Sequence, residues 1–263
     1  MSALLSVRDL HRIYRRGGFF THAEELHVLQ GIDLDLEEGS TLGLVGQSGC
    51  GKSTLGRMIL GIERPSCGTV CFRGTDIRTM AADEFREFRR NVQVVFQNVH
   101  NSVNPRMTAG EIVAEPLRNF LNISKKEAIR RSRPLLEQVG LKASDADKLP
   151  GQFSGGELQR VCIARALAPD PEVIVFDEAV SSLDMLIQTR ILSLIKDIRR
   201  ERGLSALFIS HDLRVVADLC DEVALIKDGV IVLRERSIAD LASSGDSAVR
   251  EMVNSLPPAT PIR

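Results

Sequence analysis

Tryptophan is absent from the 263-residue chain, tyrosine occurs once, and neither sign of charge dominates. With 34 lysines and arginines against 35 aspartates and glutamates, the formal net charge is -1. The basic excess that marks a nucleic-acid-binding surface is therefore missing, and no nucleic-acid partner is expected. Long apolar runs are missing too. "TLGLVG" and "VIVFD" are strand-sized, far short of the roughly 18 residues that suggest a membrane-spanning helix. The opening "MSALLSVRDL" has no basic region leading into an apolar stretch, so no secretory signal is expected. Cysteine is sparse: Cys50, Cys67, Cys71, Cys162 and Cys220 form no CxxC pair and are odd in number. That usage fits reduced thiols in a cytoplasmic protein. No internal repeat, low-complexity tract or heptad array occurs.

The composition, 43% hydrophobic and 26% charged, is that of a soluble globular protein with ample core. Short β-branched runs alternate with helical patterns, which predicts an α/β fold. Period-2 alternation at Ile32, Leu34 and Leu36 predicts an antiparallel β layer ahead of the main sheet. "STLGLVG" reads as a buried strand, "KSTLGRMILGI" as the helix after it, and "VQVVFQ" as a second buried strand. Between about residues 98 and 168 the β signal fades. "TAGEIVAEPLRNFL", "SKKEAIRRSRPLLEQVG" and "GGELQRVCIARALA" read as helices of an inserted sub-domain, the last of them amphipathic. Strand–helix alternation resumes at "EVIVFDE", and a hairpin is expected with its turn at Asp228-Gly229. Residues 1–240 are thus assigned to one domain, and 241–263 to a short helix and a Pro-rich tail.

Four features carry chemistry. "GQSGCGKST" follows the pattern G-x-x-x-x-G-K-[ST] between an expected strand and an expected helix, the context a phosphate loop requires. Gly46, Gly49 and Gly51, with Gln47, Ser48 and Cys50 between them, can curl backbone N–H groups around a phosphate. Lys52 brings a cation to the β/γ-phosphates, Ser53 a hydroxyl for Mg²⁺, and Thr54 completes the helix start. Asp177 and Glu178 end a buried strand, where ligands bind in open α/β sheets; Asp177 suits the Mg²⁺ shell and Glu178 the attacking water. Gln97 and His211 also sit at strand exits where a γ-phosphate could be reached, although pattern alone, taken singly, favours a satisfied loop residue at each. Tyr14 could stack on adenine or serve as a packing aromatic.

A second glycine pair complicates this picture. In "QFSGGELQR", Ser154 is a candidate N-cap, and Gly155 and Gly156 would leave a helix N-terminus bare for an anion. The phosphate loop already cradles its nucleotide from one side.

In order and approximate spacing, the phosphate loop, Gln97, "FSGGE", "VIVFDE", "SSLD" and His211 resemble the ATP-binding cassette (ABC) ATPases, over residues 1 to about 240. The resemblance implies a P-loop cassette with a mixed-sheet core, an antiparallel β sub-domain and an inserted helical sub-domain. It implies Mg²⁺-dependent ATP hydrolysis, with Glu178 and His211 catalytic and Gln97 sensing Mg²⁺ and attacking water. It gives Tyr14 the adenine, Ser53, Gln97 and Asp177 the Mg²⁺, and Asp184 an exchange across a dimer interface. It also answers the glycine pair: in head-to-tail dimers of that family, Ser154, Gly155, Gly156 and Glu157 would close over the partner's ATP. Phe153 and Glu157 stand where Leu and Gln are commoner, and Ala179-Val180 where Pro-Thr is. None of these removes a phosphate, metal or water contact.

Within the family, "NSVNPRMT", "DEAVSSLD", the "GGFFTH" insertion and "RSRPLLEQVGL" resemble peptide/nickel importer ATPases, most closely the second ATP-binding subunit of nickel importers. That implies a second, different ATP-binding subunit, two integral-membrane permeases and a solute-binding protein. It places the chain peripherally on the cytoplasmic face of the inner membrane. A dipeptide or oligopeptide importer is the alternative, and a soluble non-transport ABC ATPase a more distant one. Cys67 and Cys71 flank a strand and are read as core or edge filler, not nickel ligands.

Overall fold

A computed structural model describes residues 3–16, 24–181 and 183–235. The "GGFFTH" insertion and the tail from 241 lie outside the described residues. In chain order the elements are β1 (Leu5–Arg16), β2 (Glu24–Leu36), β3 (Thr41–Val45), α1 (Lys52–Ile59), β4 (Cys67–Phe72) and β5 (Thr75–Asp76). Then come α2 (Ala82–Asn91), β6 (Val92–Phe96), α3 (Val99–Ser102), α4 (Ala109–Leu121), α5 (Lys125–Gln138) and α6 (Gly155–Leu167). The chain continues through β7 (Val173–Asp177), α7 (Met185–Arg202), β8 (Ser205–Ser210), α8 (Leu213–Leu219), β9 (Glu222–Lys227) and β10 (Val230–Glu235).

Two sheets result. The antiparallel one has the order β2-β1-β4-β5, and Ile32, Leu34 and Leu36 point inward, each at most 2% exposed. The other has the order β10-β9-β3-β8-β7-β6. Its β9, β3, β8, β7 and β6 run parallel, and β10 joins antiparallel. The fold is the expected cassette, with mixed and antiparallel sheets. Strand β3 is buried along its length because it lies between β9 and β8 with layers on both faces. Helix α8 comes so close that a Cβ on Gly43 would stand 1.9 Å from Val216 Cγ1. The β9–β10 turn falls at Asp228 and Gly229, with φ of 47° and 79° and Val230 opposite Lys227. Positive φ at both positions is what a two-residue turn of the right twist demands.

From Val99 to Leu167 every regular element is helical, including two short 3-10 turns. These helices do not pack as an island: Val113, Leu136 and Leu158 share one apolar cluster with Ile174 and Phe208 of the sheet. Helix α6 corrects the expectation of an amphipathic helix. Only Gly155 and Glu157 remain exposed and Arg160 and Arg165 half-exposed; the rest is buried. The cause is its place, with α3, α4 and α5 packed around it as well as β6 and α7. Cys67 is exposed at the start of β4, and Cys71 is half-buried between β1 and β5, so neither thiol is in the core.

Candidate functional site

The parallel strands deliver the chemistry-bearing residues to one end of the sheet. The loop 46–51 leaves β3, His211 follows β8, Asp177 and Glu178 end β7, and Gln97 follows β6. Because β3, β8, β7 and β6 are adjacent in that order, residues far apart in sequence form a row at the carboxyl ends.

Backbone geometry shapes the loop. Gly49 (φ 86°) has open space where a Cβ would be, whereas one at Gly51 (φ 106°) would meet Val28 O at 2.9 Å. Gln47 and Ser48 are exposed, and Cys50 is half-buried. Lys52 is 4% exposed; its Nζ donates to Gly46 O at 2.7 Å and Gln47 O at 2.8 Å. An ammonium held among carbonyls in this way is desolvated and pre-positioned at the mouth of the loop. Beside it lies a cleft of about 420 Å³, lined by Gly46 to Cys50, by Leu26 and Val28 of β2, and by the β9–β10 turn. Thr54 Oγ1 is turned away from the cleft's mouth, accepting from Arg57 Nη2 at 3.2 Å.

Ser53 Oγ donates to Asp177 Oδ1 at 3.3 Å, so two hard oxygen donors from α1 and β7 converge. Burial pushes the Asp177 carboxyl above its ordinary range, the Ser53 hydrogen bond opposes this, and the Glu178 charge adds to it. A carboxyl raised by folding contributes stability only below its unfolded pKa and loses it as pH rises through the folded value. Asp177→Asn should therefore raise the Tm of the nucleotide-free subunit at pH 7, with the gain shrinking toward pH ~4. Thermal unfolding across that range checks it; a gain that persists unchanged in acid would contradict the assignment to charge.

Glu178 adopts φ 48°, a left-handed conformation uncommon for any residue but glycine. Its N–H donates to Ile209 O at 2.9 Å, which pins it to β8. The side chain is 16% exposed, with His211 Nδ1 3.5 Å from Oε2 and the imidazole about half exposed. Backbone strain at a carboxylate facing a cleft is a marker of function. Gln97 reaches the same place indirectly: its Nε2 donates to Ser181 Oγ at 3.2 Å, and that hydroxyl donates to Glu178 O at 2.9 Å. Ser181, the first residue of the "SSLD" stretch, is thereby a site residue, a role that the sequence pattern alone did not assign to it.

Tyr14, the signature residues and Asp184 lie elsewhere or are differently engaged. Tyr14 does not line the cleft: its hydroxyl donates to Glu63, and the Arg12 guanidinium lies 4.4 Å from the ring centroid. Its cross-strand neighbour Leu26, 47% exposed, faces the cleft instead. The signature residues border neither that cleft nor the cavity beside Glu178. Nor is the helix start bare. Ser154 caps α6, and Glu157 Oε2 accepts from Ser154 N at 2.8 Å and from Ser154 Oγ at 2.9 Å. These bonds from the Ser154 backbone and hydroxyl hold the Glu157 carboxyl below its ordinary value. The two glycines also differ, for Gly155 is exposed while a Cβ on Gly156 would stand 2.5 Å from Ile187 Cγ2. Asp184 caps α7, its Oδ1 accepting from Ile187 N at 3.0 Å.

This arrangement recurs in known proteins. The chain is 42% identical over 260 residues to the nickel import ATP-binding protein NikE of Shigella dysenteriae serotype 1, covering 99% of this chain and 97% of that one. The protein of the same name from Rhodospirillum rubrum is 43% identical over 261 residues, covering 99% and 94%. Among solved structures, the dimeric post-hydrolysis state of the ATP-binding cassette MJ0796 bound to ADP and Pi superposes with a TM-score of 0.78. It is 29% identical, with 88% of this chain and 98% of that chain covered. The ABC transporter family profile matches residues 29–181, from β2 through the phosphate loop to Ser181, and the chain belongs to that family of ATP-binding cassettes.

Proposed function

We propose that this chain is the ATP-hydrolysing subunit of a nickel importer, and that the row of residues at the carboxyl ends of β3, β8, β7 and β6 is its catalytic half-site. The observation that carries the reading is the convergence of Lys52 and Ser53 of α1, Asp177 and Glu178 at the end of β7, and His211 after β8 onto one end of the sheet. Lys52 exchanges the carbonyls of Gly46 and Gln47 for the β/γ-phosphates of ATP, while the loop N–H groups of residues 46–54 cradle the same phosphates. Ser53 and Asp177, with the Gln97 amide carbonyl, are the hard oxygen donors that suit Mg²⁺. A Mg²⁺ ion held by these donors would supply positive charge to offset that of the phosphate oxygens. Glu178 orients the attacking water and takes up its proton, and His211, 3.5 Å from that carboxylate, would contact the γ-phosphate. Ser181 keeps Gln97 and the Glu178 backbone in one hydrogen-bonded unit.

Ser154, Gly155, Gly156 and Glu157 serve a second ATP-binding subunit. Their separation from this chain's own cleft supports that, as do the apolar side chains of Met185 and Leu186 beside Asp184, 74% and 75% exposed. The partner cassette is a different chain. Two permeases contact the segment from Gln97 to about Glu115, where the helical region begins, and a solute-binding protein delivers the cargo. No described helix is long and apolar enough to cross a membrane, so attachment to the cytoplasmic face of the inner membrane runs through the permeases. Nickel is favoured over peptides because relatives at 42–43% identity over nearly the whole chain carry that cargo in their names.

The test is reconstitution with the permeases and both cassettes. A nickel-loaded binding protein should stimulate hydrolysis several-fold, and dipeptide-loaded binding proteins should not. The reverse pattern would reassign the cargo and leave the ATPase reading standing.

A further inference from the structure

Helix α6 contains one polar side chain that its surroundings leave unsatisfied. Gln159 is 2% exposed, and its Nε2 has no hydrogen-bond partner among the described residues. Buried amide groups are nearly always paired, so an unpaired donor inside a functional helix calls for a physical account. Its direction follows from its neighbours on the helix. One turn earlier, Gly156 abuts Ile187 of α7. One turn later, Ile163 lines a small apolar slot with Phe176 of β7 and Ile195 of α7. Positions 156, 159 and 163 share one helical stripe, so Gln159 faces the seam between α7 and the end of β7.

Glu178 to Ser181 run beside that seam, lining a cavity with Phe176 of β7 and Gln188, Leu192 and Ile195 of α7. They include the left-handed Glu178 and the Ser181 bridge to Gln97, and Asp184 beyond them caps α7. Leu183 lies beside the signature, since a Cβ on Gly155 would stand 3.8 Å from its Cδ2. The start of α6 and the residues that follow Glu178 are therefore near neighbours.

We propose that Gln159 is a positioning residue that ties the signature to the catalytic segment, its Nε2 donating to the main-chain carbonyl of Ala179 or Val180 when α6 closes on the partner's ATP. The inference rests on the ATPase reading above. In the free subunit the donor has no partner among the described residues, so this chain's own geometry does not hold α6 in that arrangement. Closure pairs it. Because the signature reads the partner's ATP while Glu178 acts on this chain's own, the amide gives one site a means of setting the other.

The experiment uses Gln159→Met and Gln159→Glu in the assembly of both cassettes with the permeases. Met keeps length and removes the donor; Glu keeps shape and reverses the polarity. For Gln159→Met, the Tm of the free subunit should hold or rise, since no bond is lost there. Its kcat should fall about tenfold with KM for ATP unchanged, the size of one lost hydrogen bond expressed only on closure. Gln159→Glu should fall at least as far, and neither should trap ATP in a closed assembly when combined with Glu178→Gln. Wild-type kcat in Gln159→Met would overturn the proposal, and so would a lowered Tm accompanying the loss, because the amide would then be ordinary packing. If Glu178→Gln alone fails to trap ATP, the ATPase reading is what fails, whatever Gln159 does.

Discussion

Glu178→Gln should yield an assembly that binds ATP, closes and stays closed, with hydrolysis reduced on the order of 10³-fold. The substitution changes little but charge. Gln matches Glu in size, the φ of 48° and the bond from its N–H to Ile209 O belong to the backbone, and the side chain is already 16% exposed. What disappears is the carboxylate that orients water and accepts its proton. Lys52→Ala should fail earlier in the cycle. It removes the ammonium that the loop holds through Gly46 O and Gln47 O, so nucleotide affinity itself should drop at least tenfold. Equilibrium binding of a fluorescent nucleotide, beside single-turnover hydrolysis, separates the two. Equal losses of affinity in both variants would collapse the distinction between binding and catalytic groups.

Both variants were specifiable from sequence because their signals are local. A phosphate loop is a contiguous pattern whose glycines answer to the φ values of one turn, and a carboxylate pair at the end of a buried run is placed by the strand itself. The Asp228-Gly229 turn was legible for the same reason: two positive φ values in succession leave few residue choices. What stayed hidden depends on partners distant in the chain. The left-handed backbone of Glu178 comes from β8, which pairs with β7 but lies about thirty residues further on. Tyr14 looked like an adenine platform, but Glu63 and Arg12 claim its hydroxyl and one face, and no periodicity encodes that. Helix α6 reads as one-sided until α4, α5, β6 and α7 are wrapped around it. The two glycines of "SGG" are identical as letters and opposite in environment, one open to solvent and one wedged against Ile187.

That last difference decides how the trans role of the signature should be tested. At Gly156 a carboxylate would carry its Cβ to within 2.5 Å of Ile187 Cγ2, a branch atom that cannot swing clear. Overpacking of this kind costs typically 1–3 kcal/mol, so Gly156→Asp would damage this chain whatever its partner does. Gly155 is the cleaner position. Its φ is not positive, and an added Cβ finds only an ordinary 3.8 Å contact with Leu183. As the first residue of α6, an aspartate there should even favour the free subunit, because a negative charge at a helix N-terminus gains about 0.3–1 kcal/mol. Toward a partner's γ-phosphate the sign reverses. At 4 Å two like charges repel by ~1 kcal/mol in water and ~4 kcal/mol at an effective dielectric of 20, and each 1.4 kcal/mol is about tenfold in closure. Gly155→Asp should thus hold or raise the Tm of the isolated chain, leave its own ATP binding intact, and suppress hydrolysis at the partner's phosphate loop by about 5- to 700-fold. Gly155→Ala is the control for size and should lose far less. The measurement is a mixed assembly with a photoreactive nucleotide reporting each site separately. If Ala and Asp are equally damaging, the site excludes bulk and not charge. If instead Gly155→Asp abolishes ATP binding in the isolated chain, with the partner's site untouched, the glycine pair works on its own nucleotide and the trans assignment is wrong.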